Sequence, residues 1–115
     1  MTKKLALGVL LYADYSLEEL ARLGRLCEEL GYGLFWYTDV RFGRECYLGL
    51  ASVAAVTERM QLGPGVSDPY TRHPAINLNA MATINEISGG RAIIAVAAGD
   101  RPVMELGYRM ARVAV

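Results

Sequence analysis

Histidine is nearly missing from this chain. His73 is the only one in 115 residues, and no metal site can be built from it and the scattered carboxylates. Cysteine is almost as sparse. Cys27 and Cys46 show neither a CxxC pair nor a metal-ligand spacing, and they are read as buried or idle thiols in a reducing compartment. Net charge is absent too. Twelve basic and twelve acidic residues cancel, with no basic patch or charge block, so electrostatics give no argument for nucleic acid or an anionic membrane. No apolar run is long enough to span a bilayer. The run from Leu5 to Tyr12 ends at Ala13-Asp14-Tyr15 without a cleavage site, so a buried strand explains it better than a signal peptide. No GxGxxG follows that strand and no Walker A pattern occurs, which argues against the standard NAD and ATP loops. A single cytoplasmic domain covering residues 1–115 is the expectation.

What is present is apolar and periodic. Hydrophobic residues make up 53% of the chain, high for a small domain. Leu5 to Tyr12 has the length of a parallel strand covered on both sides. Ser16-Leu17-Glu18-Glu19 reads as a capping box. The helix it opens repeats Leu17, Leu20, Leu23, Leu26, Cys27 and Leu30 and stops at Gly31. A second strand spans Leu34 to Thr38. A helix from about Arg44 to Val56 is expected to carry Leu48, Ser52, Ala55 and Val56 on one face. Met60 to Val66 is a third strand. Pro74 suits the first position of a third helix, through Ile76, Ala80, Ile84 and Ile87 to Ser88-Gly89-Gly90. Ala92 to Ala97 is a fourth strand, and Pro102 begins a last helix. Apolar strands about 30 residues apart, alternating with helices, argue for parallel βα units. Two closures fit: an open doubly wound sheet, or four units of a (β/α)8 barrel, which needs about 250 residues when complete.

In parallel α/β folds, ligands sit at the C-terminal ends of the strands. The polar residues expected at that rim are Asp14 and Tyr15, then Thr38, Asp39 and Arg41. After the third strand comes Leu62-Gly63-Pro64-Gly65-Val66-Ser67-Asp68-Pro69-Tyr70-Thr71-Arg72-His73-Pro74. It holds three prolines and two glycines, so its backbone is preset and its amides are available to a flat or phosphorylated ligand. Thr71, Arg72 and His73 precede a helix, where free amides and the dipole favour an anion. Gly99, Asp100 and Arg101 complete the set. Asp39 fits either a ligand contact or a brace for its loop. Asp100 fits either a ligand contact or the N-cap of the last helix. Trp36 and Tyr37 read as packing, and Asn77, Asn79 and Asn85 as ordinary helix-surface or cap chemistry.

Taken together, several motifs resemble the bacterial luciferase-like superfamily, nearest the methylenetetrahydromethanopterin reductase branch of deazaflavin (coenzyme F420) enzymes. They are Trp36-Tyr37-Thr38-Asp39, the 62–74 segment ending Tyr70-Thr71-Arg72-His73-Pro74, Glu86-Ile87-Ser88-Gly89-Gly90-Arg91-Ala92, and Gly99-Asp100. The resemblance implies a (β/α)8 barrel of which this chain is the parallel (βα)4 N-terminal half. It implies a deazaflavin or FMN ring at the strand C-termini and hydride transfer to or from a small organic substrate, or oxygenation with FMN. It implies a non-prolyl cis peptide at Gly65-Val66, forming a bulge behind the ring. On this basis Asp39 and Asp100 are the expected catalytic residues. Asp39, Gly63, Pro64, Gly65, Val66, Ser67, Thr71, Arg72, His73 and Gly99 are the expected cofactor contacts. Val40 stands where many relatives have histidine. Leu10 stands where the methanogenic reductases carry glutamate, which speaks against a pterin substrate.

Two further readings compete with that enzyme: a non-catalytic cofactor-binding or structural half-barrel, and an open flavodoxin-like module holding a phosphorylated ligand. A (βα)4 unit leaves two sheet edges unpaired and its inner apolar face open. The chain is therefore expected to form a homodimer through those edges, as a barrel-like assembly, or else to aggregate. Sedimentation equilibrium should give a dimer mass, and a stable, well-folded monomer would contradict this.

Overall fold

A computed structural model describes residues 4–99 and 104–109. Three βα units follow in order: β1 (Gly8–Leu11), α1 (Leu17–Glu29), β2 (Leu34–Tyr37), α2 (Cys46–Ala54), β3 (Gln61–Pro64) and α3 (Pro74–Ile87). The strands are all parallel, in the order β1-β2-β3. Segment 91–97 continues the sheet beyond β3 through bridges at Leu62–Ala92 and Ser67–Val96. The spatial order thus follows the chain order. That excludes the doubly wound, flavodoxin-like alternative, whose order reverses at a switch point.

The core lies on one side of this sheet. Leu20, Leu50, Val53, Met81 and Ile84 of the helices close over Phe35, Tyr37 and Leu62, with Val9 and Leu11 packed against them. The other face is open. Leu10 is 46% exposed, and neighbouring Trp36 is half-buried. This corrects the expectation that the first strand is covered on both sides, because every helix packs on the same face. The strand is also shorter than Leu5–Tyr12, since its ladder reaches only as far as β2, from Gly8–Leu34 to Leu11–Tyr37.

Local signals set the element ends. Ser16 Oγ accepts from the Glu19 amide at 3.1 Å, and Gly31 stops α1 with φ 93°, a conformation that costs glycine least. The capping box is only half made, because the Glu19 carboxylate turns to Arg22 instead. Two helix faces differ from the expected ones. In α2, Cys46, Tyr47, Gly49, Leu50, Val53 and Ala54 are buried while Leu48 is exposed. In α3, Asn77, Met81 and Ile84 are buried while Ile76 and Ile87 are exposed. α2 is apolar nearly all round and the apolar residues of α3 are spread around it, so hydrophobic spacing alone did not single out the inner stripe. The helix expected from Pro102 lies largely outside the described residues.

The fourth strand is the largest departure. Between the two bridges, residues 63–66 face residues 93–95, one residue more on one side than on the other. This is a β-bulge, and it breaks the ladder that would otherwise run along Ala92–Ala97. The Gly65–Val66 peptide inside it is cis, as the resemblance implied. Below the bulge the backbones close tightly: a Cβ on Gly63 would land on the Ile93 carbonyl. At the opposite rim Arg91 ties the layers together. Its guanidinium donates to the carbonyls of Ala54, Thr57, Met60 and Ser88 and to the Thr57 hydroxyl, all at 2.7–3.0 Å. A cation at the ends of α2 and α3 also suits their exposed carbonyls.

Gly63→Ala should therefore destabilise the fold by about 2 kcal/mol or more, because backbone rather than side chain has to give way. Gly33→Ala, whose Cβ would meet nothing nearer than 4.0 Å, should stay within about 0.5 kcal/mol of the wild type. Urea unfolding of both variants checks the difference.

Candidate functional site

The C-terminal ends of the strands converge on Asp39, two residues beyond β2. Its carboxylate is nearly buried, with 7% of the side chain accessible. The Ser67 hydroxyl donates to Oδ2 at 2.7 Å. Arg72 donates to Oδ1 at 2.9 Å and more weakly to Oδ2 at 3.4 Å. Arg72 also pairs with Glu45, the N-cap residue of α2, and its guanidinium lies 4.9 Å from the centroid of the Tyr47 ring. Burial works against its charge, but the Asp39 and Glu45 carboxylates outweigh that and hold Arg72 above its ordinary pKa. Asp39 is thus fixed by two groups from the 62–74 segment, one within the bulge region and one just before α3.

That segment is braced from within. Asp68 is 4% exposed. It accepts from the Tyr70 amide, the Thr71 amide and the Thr71 hydroxyl at 2.7–2.8 Å, an Asx-type turn. Burial pushes its pKa up, but these donors and the Arg41 guanidinium, at 4.0 Å, bring it below the ordinary value. Ser67 is fully buried and is tied to segment 91–97 through Ala95 and Ala97. Behind it, the Tyr47 hydroxyl donates to Asn77 Oδ1 at 2.6 Å, and Asn77 Nδ2 donates to the Asp68 carbonyl at 3.0 Å.

The expected site residues therefore play unequal parts. Asp39, Ser67 and Arg72 form one cluster. Gly63 and Pro64 are buried in β3, and the lack of a side chain at Gly63 serves the approach of Ile93. Gly65 faces the open side of the sheet: a Cβ there would lie 2.9 Å from Trp36 Cβ and 3.2 Å from Leu10 Cδ1. Val66 is 47% exposed at the crest of the bulge. The Thr71 hydroxyl is engaged by Asp68. His73 caps α3, with Nδ1 accepting from the Ala75 amide at 3.2 Å, and Pro74 is the first helical residue as expected. Gly99 takes φ 84°, and Asp100 lies outside the described residues. The sequence reading missed Tyr47 and Glu45. It also misread Asn77, which is 2% exposed and not helix surface.

Beside this cluster a cleft of about 250 Å³ opens between Asp39, Arg41, Glu45, Thr71, Arg72 and Leu106. Two buried polar atoms at the rim, Thr38 Oγ1 and Arg41 Nε, have no partner among the described residues. An exposed apolar crest, a fixed carboxylate and unmatched polar atoms suit a flat heteroaromatic ring with polar edges. Among the described residues no group of His, Cys, Asp and Glu could hold a metal ion.

The depressed pKa of Asp68 has a sign. A lowered folded value stabilises the protein above the unfolded pKa, and that stability is lost as pH falls through the folded value. Asp68→Asn should cost about 2 kcal/mol at neutral pH, the scale of hydrogen bonds to a charged group. It should also flatten the loss of stability below pH 4, the ordinary aspartate range. Chemical denaturation between pH 2.5 and pH 7, values chosen to bracket that range, checks both.

Comparison with known proteins agrees with this geometry. The luciferase-like monooxygenase family model matches residues 5–113. The chain is 40% identical to a 5,10-methylenetetrahydromethanopterin reductase of Archaeoglobus fulgidus over 98 residues, covering 85% of this chain and 30% of the relative. The structure of the coenzyme F420 dependent tetrahydromethanopterin reductase from Methanopyrus kandleri matches with a TM-score of 0.88 at 33% identity. That match covers 93% of this chain and 31% of the reductase. A type II Baeyer-Villiger monooxygenase from Pseudomonas putida, in complex with FMN, shares the fold with a TM-score of 0.73 at 15% identity. The chain spans less than a third of the length of the reductases it matches. The chain belongs to the luciferase-like monooxygenase family.

Proposed function

We propose that this chain forms the N-terminal (βα)4 half of a (β/α)8 barrel whose function is deazaflavin- or flavin-dependent redox chemistry on a small organic substrate. One observation carries the reading: within the bulge at residues 63–66, Gly65 faces the open side of the sheet and Val66 beside it is exposed, next to a carboxylate fixed by Ser67 and Arg72. The reductase relatives, one of them named for coenzyme F420, favour the deazaflavin. The FMN-bound fold relative keeps FMN as the second choice.

Gly65 and Val66 would support one face of the ring, and Asp39, Thr38 and Arg41 would meet its polar edge. The bound cofactor supplies the hydride acceptor or donor. The protein's own part is to orient the ring and to keep a fixed negative charge beside it. Held by the Ser67 hydroxyl and the Arg72 guanidinium, Asp39 has an electrostatic and orienting role. Gly99 is assigned to the same rim, and His73 to the anionic tail of the cofactor. Arg72 and Thr71, already engaged by carboxylates, contribute to that tail less than their sequence context suggests. No helix among the described residues is long and apolar enough to cross a membrane. The same proposal takes the protein as a cytoplasmic homodimer acting on small molecules.

Titration of the full chain with oxidised coenzyme F420 and with FMN, followed by cofactor fluorescence, tests the proposal. Saturable binding of one of them, weakened about tenfold or more by Asp39→Asn as expected for loss of a charge-assisted contact, is the expected result. Binding of neither overturns it. Binding without turnover favours the non-catalytic half-barrel.

A further inference from the structure

Asp39 is held by Ser67 and Arg72, and both holders are themselves set by one residue of α2. Tyr47 is 7% exposed. Its hydroxyl donates to Asn77 Oδ1 at 2.6 Å, and burial pushes its pKa up to about 12, so it remains a donor across the physiological range. With that oxygen satisfied, Asn77 turns its amide nitrogen to the Asp68 carbonyl at 3.0 Å. Ser67 Oγ lies 3.2 Å from Asn77 Oδ1 and 2.7 Å from Asp39 Oδ2. It has one proton, and the nearer, charged carboxylate takes it while the Tyr47 proton occupies Asn77 Oδ1; the Tyr47 hydroxyl also borders Ser67 directly. The Tyr47 ring meanwhile lies under the Arg72 guanidinium, with the carbon 4.9 Å from the ring centroid, a cation–π distance.

We propose that Tyr47 is a positioning residue for the Asp39 carboxylate: its hydroxyl directs Ser67 through Asn77, and its ring seats Arg72. Tyr47 does not line the cleft beside Asp39 and acts from behind it. Its value to cofactor chemistry rests on the reading that Asp39 meets the ring, but the positioning itself does not.

The two can be separated in one set of variants of the full chain. Carboxyl-labelled aspartate gives few signals, since the chain has only Asp14, Asp39, Asp68 and Asp100, and Asp39→Asn identifies the one of interest. At constant neutral pH, Tyr47→Phe should move the Asp39 carboxyl signal towards that of Asp14, which has no Ser67–Arg72 cradle. Tyr47→Leu, which also removes the ring, should move it further. The amide spectrum reports whether each variant stays folded. Asn77→Ser interrupts the same hydroxyl arm and decides the matter if Tyr47→Phe does not fold. An unmoved Asp39 signal in a folded Tyr47→Phe or Asn77→Ser chain overturns the proposal. Titration with oxidised coenzyme F420 is the second arm. Tyr47→Phe should weaken binding about threefold to tenfold, the range for one hydrogen bond. If the carboxyl signal moves but even Asp39→Asn binds the cofactor as the wild type does, the positioning stands and the cofactor reading of Asp39 fails.

Discussion

The extra residue in segment 63–66, set against 93–95, is the constraint on which the rest of the rim depends. Without it the third strand would run on in register, and Ser67 would be carried to the other face of the sheet, since a one-residue slip reverses every side chain. With it, Ser67 is buried and aimed at Asp39, Gly65 lies against Trp36 and Leu10, and Val66 remains exposed. Gly63 allows this because no side chain keeps Ile93 away. The chain after the bulge is then short enough, and stiff enough with Pro69 and Pro74, for Arg72 to return to the same carboxylate.

The arrangement is built from little polar material. Asp39, Glu45 and Asp68 face Arg72 and Arg41 within a few ångströms, and almost every charge is answered by another side chain or by backbone amides. Breaking such a buried pair leaves an uncompensated charge. The polar rim is therefore fixed by electrostatics, while the helix side of the sheet is fixed by packing of Phe35, Tyr37, Leu50 and Leu62. Arg91, at the far end, holds the layers by carbonyl contacts and takes no part in the rim.

Much of this was legible in the sequence. Strand-length apolar runs, Ser16 before Glu19, Gly31 after the first helix and Pro74 at the start of the third each carry a local physical rule, and the first three strands and three helices lie where these rules put them, with the strands shorter than their runs. The motif resemblance located the cis peptide at Gly65–Val66 and Asp39 at the rim. What escaped depended on distant partners. The inner stripes of α2 and α3 could not be read, because α2 is apolar at nearly every position and the apolar residues of α3 are spread around it. Asn77 was taken for surface because its partners, Tyr47 and Asp68, lie 30 and 9 residues away in sequence. Arg72 read as an anion binder because the carboxylates that engage it belong to other βα units. The ladder of the fourth strand was overestimated because a bulge leaves no trace in hydrophobicity.

The 62–74 segment holds Asp39 in place beside an exposed crest at Val66, the surface proposed to bind the ring. A crystal structure of the full chain soaked with oxidised coenzyme F420 tests it most directly. The account predicts the deazaflavin ring resting on Gly65 and Val66, with Asp39 still bonded to Ser67 and Arg72 at its polar edge. A ring bound elsewhere on the chain, or Asp39 turned away from both partners, would contradict it.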